Sequence, residues 1–145
     1  MSPEVLGRRA RLWLPPVAMM ATIYAFSAQS DPMPEVTAHV WDKLLHTAEY
    51  GGLALLFARA LSGDGWGMPA TLVIALLLAS AYGATDEYHQ SFVPNRCSDA
   101  EDWVADTLGA AVGCVTYAGG SRLRAERALR RARTSHPDGQ TSRTQ

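Results

Sequence analysis

The stretch GMPATLVIALLLASAYGAT, from Gly67 to Thr85, contains no charged residue over 19 positions. An α-helix needs about 20 mostly apolar residues to cross the hydrocarbon core of a bilayer. The overall composition conceals this signal, because an apolar share of 48% is ordinary for a soluble protein. The stretch itself predicts a membrane-spanning helix.

Three more apolar blocks lie on either side of this stretch, at 12–28, 50–61 and 104–117. The first carries Pro15 and Pro16 near its start, where a helix N-terminus tolerates proline best. It could instead be a secretory signal, since a basic arm precedes it and AFS at 25–27 resembles a cleavage site. We predict an all-α integral membrane bundle of four transmembrane helices, with spans at about 12–28, 42–62, 67–86 and 102–119.

Arginine is concentrated at the two ends of the chain. The terminal arginines are Arg8, Arg9, Arg11, Arg122, Arg124, Arg127, Arg130, Arg131, Arg133 and Arg143. Cytoplasmic segments of membrane proteins carry the excess of Lys and Arg, so both termini are predicted to be cytoplasmic and the protein to be a multi-pass protein of the cell (inner or plasma) membrane. The predicted organisation is a transmembrane domain at 1–120 and a basic, then disordered, tail at 121–145. No aromatic residues are interleaved with the tail arginines, so the predicted partner is anionic lipid and not nucleic acid.

The second predicted span begins with polar residues. Asp42, His46 and Tyr50 are spaced by four and share one helical face, and Lys43 lies beside them. A charged group at the bilayer centre costs about 2.5 to 3.5 kcal/mol on insertion scales. Such groups are tolerated where they face a protein interior or a water-filled cavity and pair with one another.

The third and fourth spans supply the partners. The third continues into TDEYHQSFVPNR at 85–96, and the fourth opens with DAEDWVADTLGAAVG at 99–113, whose carboxylates share a face with Gly109 and Gly113. Small residues let membrane helices approach closely, so three helices can bring their polar ends together in an outward-facing pocket. Its candidate residues are Asp42, Lys43, His46, Tyr50, Asp86, Glu87, His89, Gln90, Arg96, Asp102 and Asp106.

The same stretches resemble VanZ-like membrane proteins over about 12–118. DKLLHTAEYGGLALL at 42–56 fits the pattern DKxxHxxxYxxL, and TDEYHQSFVPNRCSDAEDWVADTLGAAVG at 85–113 fits DExxQxFxPxRxxxxxDxxxNxxGxxxG. Asp106 departs from the pattern, in which Asn is commoner. The family is named for a protein that gives low-level resistance to the glycopeptide teicoplanin, so the resemblance implies a cell-envelope protein of the antibiotic-resistance type. The positions that it implies are Asp42, Lys43, His46, Tyr50, Asp86, Glu87, Gln90, Arg96, Asp102 and Gly109.

Several functions fit such a pocket. The first prediction is that it binds or shields a lipid-linked cell-envelope ligand, such as a wall precursor, or a glycopeptide antibiotic. The alternative is an intramembrane enzyme acting on a lipid headgroup or wall precursor, with His46 or His89 as general base and Lys43 or Arg96 as anchor for an anionic group. A third is a structural ion-pair network that joins the helices, and a fourth is a proton-coupled transporter.

A divalent metal ion is a variant of the enzyme hypothesis. Histidine together with carboxylates suits zinc or manganese. The possible ligands are Asp42, His46, Asp86, His89 and Asp102. Cys97 and Cys114 lie at different predicted depths, so neither a disulfide nor CxxC chemistry is predicted. The sequence singles out no catalytic residue.

Overall fold

The computed structural model describes residues 2–30, 39–94, 96 and 98–134, without the side chains of 39–42. The side chain of Asp42, Cys97 and the tail beyond Thr134 therefore lie outside the described residues. Within the described residues the chain is all-α and has no strand, as the sequence predicts. The four helices are α1 Pro3–Ser27, α2 His39–Gly63, α3 Met68–Gln90 and α4 Ala100–Thr134.

Helix α1 begins well before the apolar block from which it was predicted. The Ser2 hydroxyl accepts a hydrogen bond from the Val5 N–H at 3.4 Å, and Pro3 occupies the start of the helix. A serine cap followed by proline is a strong signal for a helix N-terminus. Pro15 and Pro16 consequently lie in the helix interior, which corrects the expectation that they mark its start.

Consecutive helices run in opposite directions. In the middle of α3 the Trp103 indole N–H donates to the Ser80 carbonyl at 3.0 Å, and near the start of α3 the Cys114 thiol donates to the Leu72 carbonyl at 3.5 Å. Helices α3 and α4 are therefore antiparallel. Helices α1 and α2 are antiparallel too, because Arg8 donates to the Gly63 carbonyl while Met19, later in α1, lies beside Gly52, earlier in α2. The starts of α2 and α4 and the ends of α1 and α3 consequently meet at one end of the bundle.

The parallel helices α2 and α4 make the closest contact in the bundle. A β-carbon at Gly109 would overlap the backbone of Thr47, and a β-carbon at Gly113 would overlap the backbone of Gly51. Glycine lets two helix backbones touch in this way. The contact fixes the register that aligns the polar start of α2 with the acidic start of α4.

Small side chains fill the interior, and large apolar side chains cover much of the outside. The buried alanines are Ala54, Ala58, Ala60, Ala75, Ala79, Ala105 and Ala110. On the outer faces, by contrast, Leu77 of α3 is 62% exposed and Val115 of α4 is 71% exposed. Large contiguous apolar surfaces of this kind are rare on soluble monomers, and small interior residues are typical of helix contacts in membranes.

Helix α3 is long and apolar enough to cross a membrane, and only 22% of its most apolar window is buried in the protein. A core helix of a soluble protein would be mostly enclosed. In the described ranges the other three helices do not meet the same test of length, hydropathy and charge.

Candidate functional site

A group of buried polar side chains lies where α2, α3 and α4 meet at one end of the bundle. Each of these side chains belongs to a residue less than a tenth exposed, and we refer to them as the polar cluster: His46, Asp86, Glu87, Gln90, Asp102 and Asp106. Burying a polar or charged group is unfavourable unless it is hydrogen-bonded or paired. The partners of each group therefore indicate what the cluster can do.

Asp106 lies at the centre of the polar cluster and is fully buried. His46 Nδ1 and Asp106 Oδ1 form a hydrogen bond at 2.9 Å, in which the imidazole donates when the carboxylate is ionised. The other oxygen, Asp106 Oδ2, has no hydrogen-bond partner among the described residues. A β-carbon at Gly83 would lie 2.6 Å from that oxygen, so the glycine of α3 makes the space that Asp106 occupies.

Glu87 also has one hydrogen-bonded carboxylate oxygen and one open oxygen, that is, one without a partner among the described residues. Its Oε2 accepts a hydrogen bond from the Asp99 backbone N–H at 2.8 Å, which ties the end of α3 to the start of α4. Its Oε1 is buried and lacks a partner within the part of the chain that the structure describes. One ligand atom from each of His46, Glu87 and Asp106 lies within 4.8 Å of the other two.

Lys43 belongs to an ion-pair network at the edge of the polar cluster. Its Nζ lies 3.0 Å from Glu101, 3.1 Å from Asp102 and 3.9 Å from Asp99. One ammonium group thus forms ion pairs with three carboxylates at the start of α4. This arrangement joins α2 to α4 and favours a structural role for Lys43 over the expected role as anchor for an anionic group.

Asp86 and Gln90 of the polar cluster are hydrogen-bonded to each other, and Tyr50 lies next to the cluster, one helical turn beyond His46 in α2. The Gln90 amide donates to Asp86 Oδ2 at 3.1 Å. The Tyr50 ring is fully buried and lies parallel to the His46 ring, with centroids 6.4 Å apart. Asp86 Oδ1 and the Tyr50 hydroxyl are buried without a hydrogen-bond partner among the described residues.

Two candidate residues contact α1 or the residues just after it instead of the polar cluster. The His89 ring packs against the Tyr24 ring with centroids 4.6 Å apart, and Arg96 Nε donates to the Gln29 carbonyl at 3.2 Å. Both contacts tie the end of α1 to the end of α3 and the loop after it. The side chain of Asp42, the remaining candidate, lies outside the described residues.

Sequence reasoning overlooked Gly83 and gave no special weight to Glu87. A signal existed for Gly83, because it is a lone glycine inside an apolar span three residues before Asp86, and such a glycine often marks a close approach. No signal distinguished Glu87 from its neighbour Asp86. Only the packing of α3 against α4 shows which of the two carboxylates lies beside His46 and Asp106.

The comparisons with known proteins concern the same region of the chain. A family model described as VanZ/LLP1 matches residues 6–122, which include all six residues of the polar cluster. No match was found among curated proteins or among solved structures. Because the matched region is most of the chain, it confirms the resemblance seen in the sequence motifs. This chain belongs to the VanZ/LLP1 family.

Proposed function

We propose that all four helices span the cell membrane and that both termini are cytoplasmic. Three observations support this proposal: the alternating helix directions, the large apolar side chains on the outer faces, and the arginines at both chain ends. Residues 1–120 would form the transmembrane domain. The tail of 121–145 would begin inside α4, whose exposed arginines suit the headgroups of anionic lipids.

In this orientation the polar cluster lies on the outer side of the membrane, and its function is to bind a ligand of the cell envelope. The unpaired oxygens of Asp106 and Glu87 carry this proposal. A network that only joined helices would be expected to pair its buried oxygens, because each unpaired group destabilises the fold. Two open acceptors at a three-helix junction are better explained by an absent partner.

The chemistry of the polar cluster limits the ligand. Carboxylate oxygens accept hydrogen bonds, so a fitting ligand presents hydroxyl, amide or ammonium groups. A lipid-linked wall precursor or a glycopeptide antibiotic offers such donors on its sugar and peptide parts. The proposed role is therefore to bind or shield one of these molecules, as an accessory to antibiotic resistance.

Catalysis is the second candidate function, and the pair of His46 with Asp106 favours it. A histidine oriented by a carboxylate is the usual arrangement of a general base. Glu87 lies beside this pair and could act as an acid. The reaction would be hydrolysis or transfer at a lipid headgroup on the outer leaflet.

Cysteine labelling tests the membrane arrangement. In a chain whose native cysteines are replaced by serine, Ser98→Cys is expected to react with a membrane-impermeant maleimide in intact cells. Arg133→Cys is expected to react only after the cells are permeabilised, because it lies in the cytoplasmic tail. Both positions are exposed in the protein. The cysteine-free parent controls for background, and the reverse labelling pattern would overturn the topology.

Ligand binding tests the function. His46→Ala and Glu87→Gln are expected to weaken binding of a lipid-linked wall precursor to the full chain in nanodiscs by at least about tenfold, as loss of a charge-assisted hydrogen bond implies. Teicoplanin sensitivity of the producing cells should change in parallel. Glu101→Gln is the matched control, since that carboxylate lies at the same end but is 71% exposed.

Folded yield in detergent is measured for each variant separately from binding. Recovery of the precursor unchanged supports binding, whereas its conversion by the parent and not by His46→Ala supports catalysis. Binding and sensitivity that stay at the parental level in both variants would show that the polar cluster is not the site.

A further inference from the structure

We propose that His46, Glu87 and Asp106 bind one divalent transition-metal ion of the Zn²⁺ or Mn²⁺ type. Each residue comes from a different helix, α2, α3 and α4 respectively. All three are at least nine-tenths buried. The inference concerns the described side chains alone, and it assigns to a metal ion the same open oxygens to which the proposed function brings the donor groups of an envelope ligand.

The distances suit a single ion. One ligand atom of each residue lies within 4.8 Å of the others. A tetrahedral ion with bonds of about 2.0 to 2.2 Å holds its ligand atoms about 3.3 to 3.6 Å apart. Binding would therefore draw the three ligand atoms closer together.

The hydrogen bonding of the two carboxylates is the second and independent observation. Glu87 is held through Oε2 by the Asp99 N–H at 2.8 Å, whereas Asp106 Oδ1 lies 2.9 Å from His46 Nδ1, where a bound ion would replace the shared proton. In each residue the other oxygen is buried and has no partner in the described segments. Carboxylates that bind metals are typically fixed in this way, with one oxygen oriented by a hydrogen bond and the other left for the ion.

The charge balance also favours a cation at this position. Glu87 and Asp106 are close to each other, and the ammonium group of Lys43 is engaged with the start of α4. Two neighbouring buried carboxylates repel each other when both are ionised, and a positive charge between them relieves that repulsion. A divalent ion would supply that charge.

The donor set determines what kind of ion fits. One imidazole nitrogen and two carboxylate oxygens suit Zn²⁺ or Mn²⁺ better than the soft copper(I) ion. Three protein ligands are typical of sites that keep a further position for water or substrate. Of the ligand set predicted from the sequence, Asp102 pairs with Lys43, the His89 ring packs on Tyr24, and Asp86 accepts from Gln90 through Oδ2 while its Oδ1 has no partner among the described residues. None of these three belongs to the described group whose ligand atoms lie within 4.8 Å of one another, and the Asp42 side chain lies outside the described residues.

Metal titration of the full chain in detergent tests the proposal. Protein stripped with EDTA is titrated with Co²⁺, whose visible absorption reports its ligands, and bound metal is counted by mass spectrometry. We expect one Co²⁺ per chain, displaced by Zn²⁺. Glu87→Gln and Asp106→Asn should each weaken binding at least tenfold, and Glu101→Gln should leave it unchanged.

A fourth variant tests the position of Asp106 without removing a ligand. Gly83→Ala places a methyl group against Asp106 Oδ2, so we expect weaker Co²⁺ binding and a changed spectrum while helix content by circular dichroism stays the same. If Asp106→Asn fails to fold, Glu87→Gln decides the question. No stoichiometric binding by the parent, or binding that both carboxylate variants retain, would overturn the metal site and leave the proposed envelope function to its own test.

Discussion

Gly113→Ala is expected to lower the free energy of unfolding by about 3 kcal/mol, the upper part of the usual range for overpacking. A β-carbon at this position would overlap the carbonyl of Gly51 on the facing helix. A backbone carbonyl cannot rotate away as a side chain can, so α2 and α4 must separate. Separation would also break the register that aligns Lys43 with Asp102 and His46 with Asp106.

The measurement is unfolding of purified protein in mixed detergent micelles, followed by circular dichroism. Gly119→Ala is the matched control, because it lies on the same helix and a β-carbon there meets nothing within 4 Å. Alanine favours a helix over glycine, so the control should be neutral or slightly stabilising. Equal effects of the two substitutions would show that α2 and α4 do not touch at Gly113.

Much of the helix content could be predicted from the sequence, and the errors have physical causes. The uncharged run from Gly67 to Thr85 corresponds to most of α3, which begins at Met68. The ends were harder to predict. Helix α1 starts at Pro3 and α4 continues to Thr134, because caps and charged helix formers extend a helix beyond its apolar part.

The residues of the polar cluster could be nominated from spacing alone, but their partners could not. Helical periodicity places His46 and Tyr50 on one face of α2, and their rings lie parallel. Periodicity gives no information on how deeply α3 and α4 interlock, however. It could not predict that Lys43 forms ion pairs with Glu101 and Asp102, or that Arg96 donates to the Gln29 carbonyl just after α1.

The polar end of the bundle thus contains two kinds of polar contact. Around Lys43 each charge has an opposite charge nearby, and the contact joins two helices at the protein edge. Around Asp106 and Glu87, buried oxygens are left without partners among the described residues. The first kind stabilises the fold, and the second kind lowers stability, a loss that the proposed binding site would explain.

This distinction leads to opposite effects on stability. In metal-free protein, Lys43→Met is expected to lower the midpoint of unfolding, because three carboxylates at the start of α4 lose their shared cation. Asp106→Asn is expected to raise the free energy of unfolding by about 1 kcal/mol, since it removes a buried charge but keeps an oxygen that His46 can donate to.

Both variants are unfolded in detergent after EDTA treatment, and each is then tested for Co²⁺ binding. Lys43→Arg should restore most of the stability lost in Lys43→Met, because it keeps the positive charge. Asp106→Asn should bind Co²⁺ poorly despite its higher stability, and that combination is what separates a binding residue from a structural one. If Asp106→Asn destabilises the protein as Lys43→Met does, Asp106 belongs to the pairing network, and the structural hypothesis replaces the binding site.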